Sequence, residues 1–363
     1  MSSTNIAVDP KSANFRVLVT GGRGLVGQAI QTVCSSLSEW QPNGYEFHFT
    51  DSSEADLTDL EQTRSLFNRI RPHFVIHLAA MVGGLFKNMN ANLDFYLVNS
   101  RINENVLQSC AEHRVQKCIS CLSTCIFPDK TNYPIDEQMI HNGPPHTSNY
   151  GYSYAKRMLD VLNHGYTDKL TRQQNAAKTP TELSPAKPPN HHPHLFTAII
   201  PTNVYGPSDN FHLDDAHVIP ALIHRAYLEA RRCLEQNRTE AVLDVYGSGR
   251  PMRQFIYSSD LARLIVWALQ HYEEIDPIIL SVDEQDEISI GQAAQVVTNA
   301  IGQHFKINFT LKFDTSQADG QFKKTANNAK LRSYLPDFEF TGFEEGIQHT
   351  VSWFCEHYER ARK

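Results

Sequence analysis

No apolar run in this 363-residue chain approaches the roughly 20 residues that a membrane-spanning helix needs, so no segment reads as transmembrane. An excess of basic charge is also missing. Lysine and arginine number 33 against 40 acidic residues, a formal net charge of -7, which excludes a general nucleic-acid binder that depends on a positive face. The first fourteen residues, Met1 to Asn14, lack the basic and apolar regions of a secretion signal, and we expect them to be disordered and the protein to be cytoplasmic. Seven cysteines, an odd number, then read as reduced thiols rather than a disulfide framework. No internal repeat is evident.

What is present begins with a strand that runs into a glycine turn. Phe15 to Thr20 is a short apolar, β-rich run, followed by Gly21-Gly22-Arg23-Gly24-Leu25-Val26-Gly27 and a helical pattern over Leu25 to Leu37. Gly21, Gly24 and Gly27 fit GxxGxxG. Their missing side chains let the backbone approach a pyrophosphate, while the helix opened by Leu25 and Val26 offers its first N–H groups. Arg23, inside the loop, suits an adenosine 2′-phosphate and so NADP(H); Asp51, at the end of the next strand (Tyr45 to Thr50), suits the ribose hydroxyl of NAD. The two residues pull in opposite directions.

A helix is expected around Leu60 to Ile70, and strands over Phe74 to Ala80 and Lys117 to Leu122. Between those strands lies a long helix from Asn92 to His113, on which Asn99, Asn103 and Asn105 read as exposed polar positions with no catalytic role. The alternation implies an α/β fold with a Rossmann-type doubly wound parallel sheet. The helix bearing Lys156 continues to about Tyr166. From Thr171 to His194 the composition turns to proline, histidine and polar residues, which reads as a surface-loop insertion whose histidines are solvated rather than metal ligands. Leu195 to Ile200 resumes as a strand. Helices at Val218 to Arg231, Ser258 to Tyr272 and Glu344 to Arg360, with a strand at Val242 to Tyr246, would build a smaller α/β substrate lobe. The expected organisation is a dinucleotide domain over 15–210, with the insertion at 171–194, and a substrate lobe over 211–363 whose segment 255–272 returns to pack on the first domain.

Tyr152 and Lys156 lie four residues apart and so share a helix face, where the ammonium is expected to lower the phenol pKa and help the hydroxyl exchange a proton beside a nicotinamide. Tyr150 and Tyr154 lack that spacing. Ser123 follows the strand from Lys117, at the carboxyl edge where open α/β sheets bind ligands, and completes a Ser-Tyr-Lys set.

The carrying segments are Val19 to Gly27, His77-Leu-Ala-Ala-Met-Val-Gly-Gly84, Ser123-Thr-Cys-Ile-Phe-Pro128, Tyr152-Ser-Tyr-Ala-Lys156, Pro201-Thr-Asn-Val-Tyr-Gly-Pro207, His217-Val-Ile-Pro220 and Asp319-Gly-Gln-Phe-Lys-Lys324. With them the chain resembles, over nearly its whole length, the extended short-chain dehydrogenase/reductase family, in its branch acting on GDP-4-keto-6-deoxy-D-mannose. That resemblance implies epimerisation at C3 and C5, then reduction at C4 by NADPH, in one site. It implies Cys125 and His217 as the acid/base pair beside Ser123, Tyr152 and Lys156. On the cofactor side it adds Pro201, Asn203, Val204 and His217; for the GDP end it implies Arg225, Tyr246, Arg253, Asp319 and Lys324. It also implies a homodimer built through the helices near Asn92 to His113 and Gly151 to Tyr166. Two departures stand out: Tyr246 occupies a place often held by tryptophan, and Ser53 a place where related chains can carry a basic residue, which shifts the 2′-phosphate role to Arg23. The remaining cysteines, Cys34, Cys110, Cys118, Cys121, Cys233 and Cys355, read as structural. The rival readings are a reductase or epimerase of another nucleotide sugar, against which Cys125 and His217 argue, and a silent NADP-binding sensor, against which the intact Ser-Tyr-Lys set argues.

Overall fold

Val17, Leu18 and Val19 are consecutive and fully buried, a pattern that a strand reaches only when both its faces are covered. The structure, a computed structural model, describes residues 15–36, 44–176, 194–316, 319 and 321–363. The chain runs β1 (Phe15–Thr20), α1 (Leu25–Ser35), β2 (Tyr45–Thr50), α2 (Leu60–Ile70), β3 (Phe74–His77), α3 (Leu85–Asn90), α4 (Asn92–Glu112), β4 (Lys117–Cys121), α5 (Tyr150–Ala176) and β5 (Leu195–Pro201). It continues through β6 (Asn203–Tyr205), α6 (Val218–Glu235), β7 (Glu240–Tyr246), β8 (Met252–Arg253), β9 (Phe255–Tyr257), α7 (Ser258–His271), β10 (Ile278–Leu280), β11 (Ile288–Ser289), α8 (Ile290–Phe305), β12 (Asn308–Asp314), α9 (Ala329–Tyr334) and α10 (Phe343–Glu356).

Six strands form one parallel sheet in the order β10-β5-β4-β3-β1-β2. Strand addition reverses between β1 and β3, so the crevice for a ligand opens past their carboxyl ends. One face of the sheet packs Leu18, Val75, Cys118 and Phe196 against α2, α4 and α5; the other packs Val17, Val19, Ile76 and Ile119 against Ile30 of α1 and Leu261, Ile265 and Leu269 of α7. This is the doubly wound α/β sheet that the alternating pattern implied. Cys118 and Cys121, three apart in one strand, fall on opposite faces, so their spacing cannot converge on a metal. A separate core gathers α6, β7, α8 and α10 through Leu222, Ile223, Leu243, Val297 and Phe354.

Several elements differ from the sequence reading. The strand expected to reach Ala80 ends at His77, and α1 ends at Ser35 rather than Leu37, which lies outside the described residues. Helix α5 runs to Ala176, so the first six residues of the expected insertion at 171–194 are helical; residues 177–193 lie outside the described ones. Thr171-Arg-Gln-Gln-Asn-Ala176 is as polar as a loop, but Arg, Gln and Ala are good helix formers that extend an existing helix without a new nucleus. The expected disorder of 1–14 also lies outside the described residues.

Asn99, Asn103 and Asn105 are buried, not exposed. Each replaces water with protein partners. Asn99 exchanges two bonds with the Met81 backbone (2.8 and 3.0 Å), Asn103 donates to the Ala155 carbonyl (3.2 Å), and Asn105 donates to the Leu57 carbonyl (2.9 Å). The face of α4 packed on α2 and α5 is closed to water, and its amides survive burial only because they are bonded.

Candidate active site

The glycine turn is shaped by contacts that exclude side chains. Gly21 has φ +72°, and a Cβ there would meet the Ala79 nitrogen at 2.9 Å; at Gly27 it would meet the Gly22 and Gly21 carbonyl oxygens at 2.5 and 2.6 Å. Gly24 caps α1 with no side-chain bond, and an added Cβ would meet only the Gly21 oxygen at 3.2 Å. Helix α1 is thereby drawn tight against β1, with the half-buried Leu25 and Val26 opening it. This cradle fits a dinucleotide pyrophosphate. At its rim, Arg23 Nε lies 2.5 Å from Asp51 Oδ2, with the arginine side chain 76% exposed and the aspartate 16%. Asp51 also accepts from the Ser53 N–H (2.7 Å) and hydroxyl (2.5 Å); these bonds first, and Arg23 with them, lower its pKa. The two residues that divided the cofactor reading are thus one ion pair.

At the carboxyl end of β4 the chain turns through a 3-10 turn, Thr124–Ile126. Ser123 caps it, its Oγ accepting the Cys125 N–H at 3.4 Å, and Cys125 is buried. Tyr152 and Lys156 face this turn from α5. Lys156 Nζ donates to the Cys121 carbonyl at 2.8 Å and stands 5.9 Å from the Tyr152 ring centre. Burial lowers the Lys156 pKa, with Cys121 and Cys125 opposing. Burial raises the Tyr152 phenol well above its ordinary value, and the charges of Cys125 and Cys121 raise it further. The expectation that Lys156 would lower it is corrected: the ammonium is spent on a carbonyl, and loss of hydration governs the phenol.

Lys324 reaches the same cleft. Its pKa is lowered by burial, raised by Cys125 and lowered by Arg253. His217 precedes α6 and is exposed, yet the surrounding protein lowers its pKa, with the Lys324 charge adding to the effect. Position 217 is set from β3's side: the Gly84 N–H donates to Asp215 O (3.0 Å), Lys87 pairs with Asp215 (2.7 Å), and a Cβ on Gly84 would meet Ala216 O at 2.9 Å. The structure therefore brings Ser123, Cys125, Tyr152, Lys156, Lys324, Arg253 and His217 around one space. Pro201 ends β5, and Asn203 and Val204 follow in β6; the Asn203 amide donates to the Gln254 carbonyl at 2.9 Å.

Arg253 donates to Gln321 O (2.6 Å), and Asp319 accepts from the Ser248 N–H (2.6 Å) and hydroxyl (2.8 Å), so both tie down the segment that delivers Lys324. Arg225 and Tyr246 are placed apart from the acid/base group. They share a cleft of about 720 Å³, also lined by Leu213, Asp244, Lys312 and Phe313, with the guanidinium 4.4 Å from the Tyr246 ring centre. Tyr246 is 52% exposed, so its ring offers a free face for stacking.

One residue escaped sequence reasoning. His77 is fully buried at the end of β3, bonded to Thr20 Oγ1 through Nδ1 (2.9 Å) and to Asn103 Oδ1 through Nε2 (3.1 Å). Burial first, and the Lys156 charge second, lower its pKa to about 3. Asn103 gives its own N–H₂ to Ala155 O, so Nε2 carries the imidazole proton, and Nδ1 accepts from Thr20, which in turn accepts the Ala79 N–H at 3.2 Å. A histidine inside an apolar β run was the available signal.

Residues 17–283 match the NAD dependent epimerase/dehydratase family. The chain belongs to that family. It is 50% identical over 348 residues to a probable GDP-L-fucose synthase of Drosophila melanogaster, covering 96% of this chain and 99% of the other. It is also 50% identical to the GDP-L-fucose synthase of Dictyostelium discoideum, covering 96% and 97%. Its fold superposes with a TM-score of 0.82 on the crystal structure of a GDP-L-fucose synthetase from Naegleria fowleri bound to NADP, at 43% identity and with 97% and 96% of the two chains covered.

Proposed function

We propose that this chain converts GDP-4-keto-6-deoxy-D-mannose to GDP-L-fucose, epimerising C3 and C5 and then reducing C4 with NADPH. The observation that carries the reading is the meeting of Cys125, Tyr152 and Lys324 at the end of β4, in a chain half identical to relatives named for that product. A 4-keto group acidifies both neighbouring carbons, because the electrons left by a departing proton move onto the carbonyl oxygen. Ser123 and Tyr152 hold that oxygen as its charge grows. Cys125 and His217 remove and return the protons at C3 and C5. The protein around His217 and the Lys324 charge lower its pKa, which suits the imidazole to take a proton while the Cys125 thiol returns one on the opposite face. Burial first, and Cys125 and Cys121 with it, keep the Tyr152 pKa well above its ordinary value, so the phenol stays protonated through the epimerisations and ready to protonate O4 in the last step. Bound NADPH supplies the hydride that C4 receives. Lys156 is placed to hold the nicotinamide ribose, and Arg23 to meet the 2′-phosphate.

Arg225, Tyr246, Arg253, Asp319 and Lys324 are assigned to the GDP moiety, as cations for its diphosphate and an aromatic face for its base. A homodimer is supported by apolar side chains left exposed on the adjacent helices: Leu93, Tyr96 and Leu97 on α4, and Tyr150, Met158 and Val161 on α5. No helix among the described residues is long and apolar enough to cross a membrane, and we assign the protein to the cytoplasm. Mixing the protein with NADPH and GDP-4-keto-6-deoxy-D-mannose, while following reduced-cofactor absorbance and identifying the sugar, tests the reading. GDP-L-fucose is expected; an unepimerised product would remove the roles of Cys125 and His217.

A further inference from the structure

Arg157 follows Lys156 on α5 and has no place in a Ser-Tyr-Lys set. Its side chain is buried. From Nε (3.0 Å) and Nη2 it donates to the Ile126 carbonyl, and from Nη1 to the Gly143 carbonyl at 2.8 Å. Ile126 closes the 3-10 turn that Ser123 opens, so the three-residue turn around Cys125 is held at one end by the Ser123 hydroxyl and at the other by this guanidinium. The Tyr154 ring lies against the cation, 5.4 Å from ring centre to guanidinium carbon. Among the described residues no carboxylate pairs with it; its bonds go to neutral carbonyls. A buried guanidinium bonded only to neutral carbonyls keeps its positive charge uncancelled by any of them.

We propose that Arg157 is the positioning residue of Cys125: it pins the turn that carries the thiol and keeps there a buried positive charge that draws anionic groups to the sulfur. The inference rests on reading Cys125 as an acid/base group, but the charge it invokes can be measured apart from catalysis. Burial pulls the Arg157 pKa down, while Tyr154 and Cys125 support the charged form. The charged and titratable groups that interact with Cys125 are Tyr152, Lys156 and Arg157 from α5 and Lys324 from the segment after Gln321. Of the three cations, Lys156 is bonded to the Cys121 carbonyl, and Lys324 also interacts with His217 and Arg253. Arg157 alone of them is bonded to the Cys125 turn itself. A cation held on the turn that carries a thiol places positive potential at the sulfur.

Iodoacetate and iodoacetamide alkylate thiols by the same displacement and are nearly the same size, but only iodoacetate is anionic. The ratio of their rates at Cys125, read by mass spectrometry of the peptide that contains it in the full chain, reports local positive charge rather than access. The ratio is expected to fall about threefold or more in Arg157→Gln and Arg157→Met, and to stay near the native value in Arg157→Lys. An unchanged ratio in Arg157→Gln overturns the proposal, because a merely structural role would alter both rates together. Should Arg157→Met fail to fold, the Gln and Lys variants decide the matter: equal ratios in the two overturn it, and a lower ratio in Gln supports it. Because alkylation needs neither substrate nor turnover, an idle Cys125 in catalysis would sink the acid/base reading without changing this result.

Discussion

The Lys156 ammonium donates to the Cys121 carbonyl at 2.8 Å and leaves the Tyr152 ring 5.9 Å away, so the lysine anchors α5 to the end of β4 instead of bonding the phenol. The tyrosine is consequently a proton donor at neutral pH, which is the form that ketone reduction requires.

Tyr152→Phe removes that donor and little else. Reduction at C4 is expected to fall by about 10²- to 10⁴-fold, the usual worth of a positioned acid. NADPH affinity, measured by fluorescence titration, should change little. A native rate of cofactor oxidation would show that another group protonates O4.

Cys125→Ser keeps the side chain's size but replaces the thiol by a far weaker acid. Incorporation of solvent deuterium at C3 and C5, followed by mass spectrometry of the sugar, should drop by at least about tenfold. Unchanged exchange at both carbons would take Cys125 out of the mechanism.

Arg23→Ala removes the exposed member of the Arg23–Asp51 pair and leaves the Asp51 carboxylate without its cation. The preference for NADPH over NADH, compared as kcat/KM, should decline by about tenfold or more, since a phosphate contact from arginine is charge-assisted. An unaltered preference would assign the 2′-phosphate to another residue.

His77 ties stability to pH with a definite sign. Its folded pKa of about 3 lies below the ordinary histidine value near 6.5, so the unfolded chain takes up the proton first. The stabilisation is fully present above pH 6.5 and is lost as pH falls toward 3, with a limiting slope of about 1.4 kcal/mol per pH unit. Thermal unfolding of the native protein and of His77→Gln between pH 4 and 7 checks this. The native melting temperature should fall more steeply with acid, and parallel curves would contradict it.

Much of the fold was legible. Phe15–Thr20, Tyr45–Thr50 and Leu60–Ile70 appear with the expected bounds, because each is a short run whose periodicity and flanking turn residues agree. The glycine turn was equally plain, since its three glycines are each explained by a neighbouring backbone atom. What periodicity could not supply was neighbourhood. Asn103 reads as an exposed polar residue until β3 places His77 beside it, and Arg157 reads as one more helix cation until the Cys125 turn places two carbonyls around it. The phenol's raised pKa was out of reach for the same reason, because spacing along a helix says which residues are close but not how much water remains around them. Arg225 and Tyr246 show the converse limit: they belong together, yet in a cleft apart from the acid/base group.

The bonds from the Ala79 N–H through Thr20, His77 and Asn103 to the Ala155 carbonyl all point one way, each member giving a single proton to the next. Such a row has only one self-consistent orientation: reversing any link leaves two protons face to face at one end and a bare oxygen at the other. The strand that leads to the phosphate loop and the helix that bears Tyr152 are thereby keyed to each other at one fixed offset. A lesion anywhere along the row would be felt as a misalignment of hydride donor and proton donor, at a distance from both.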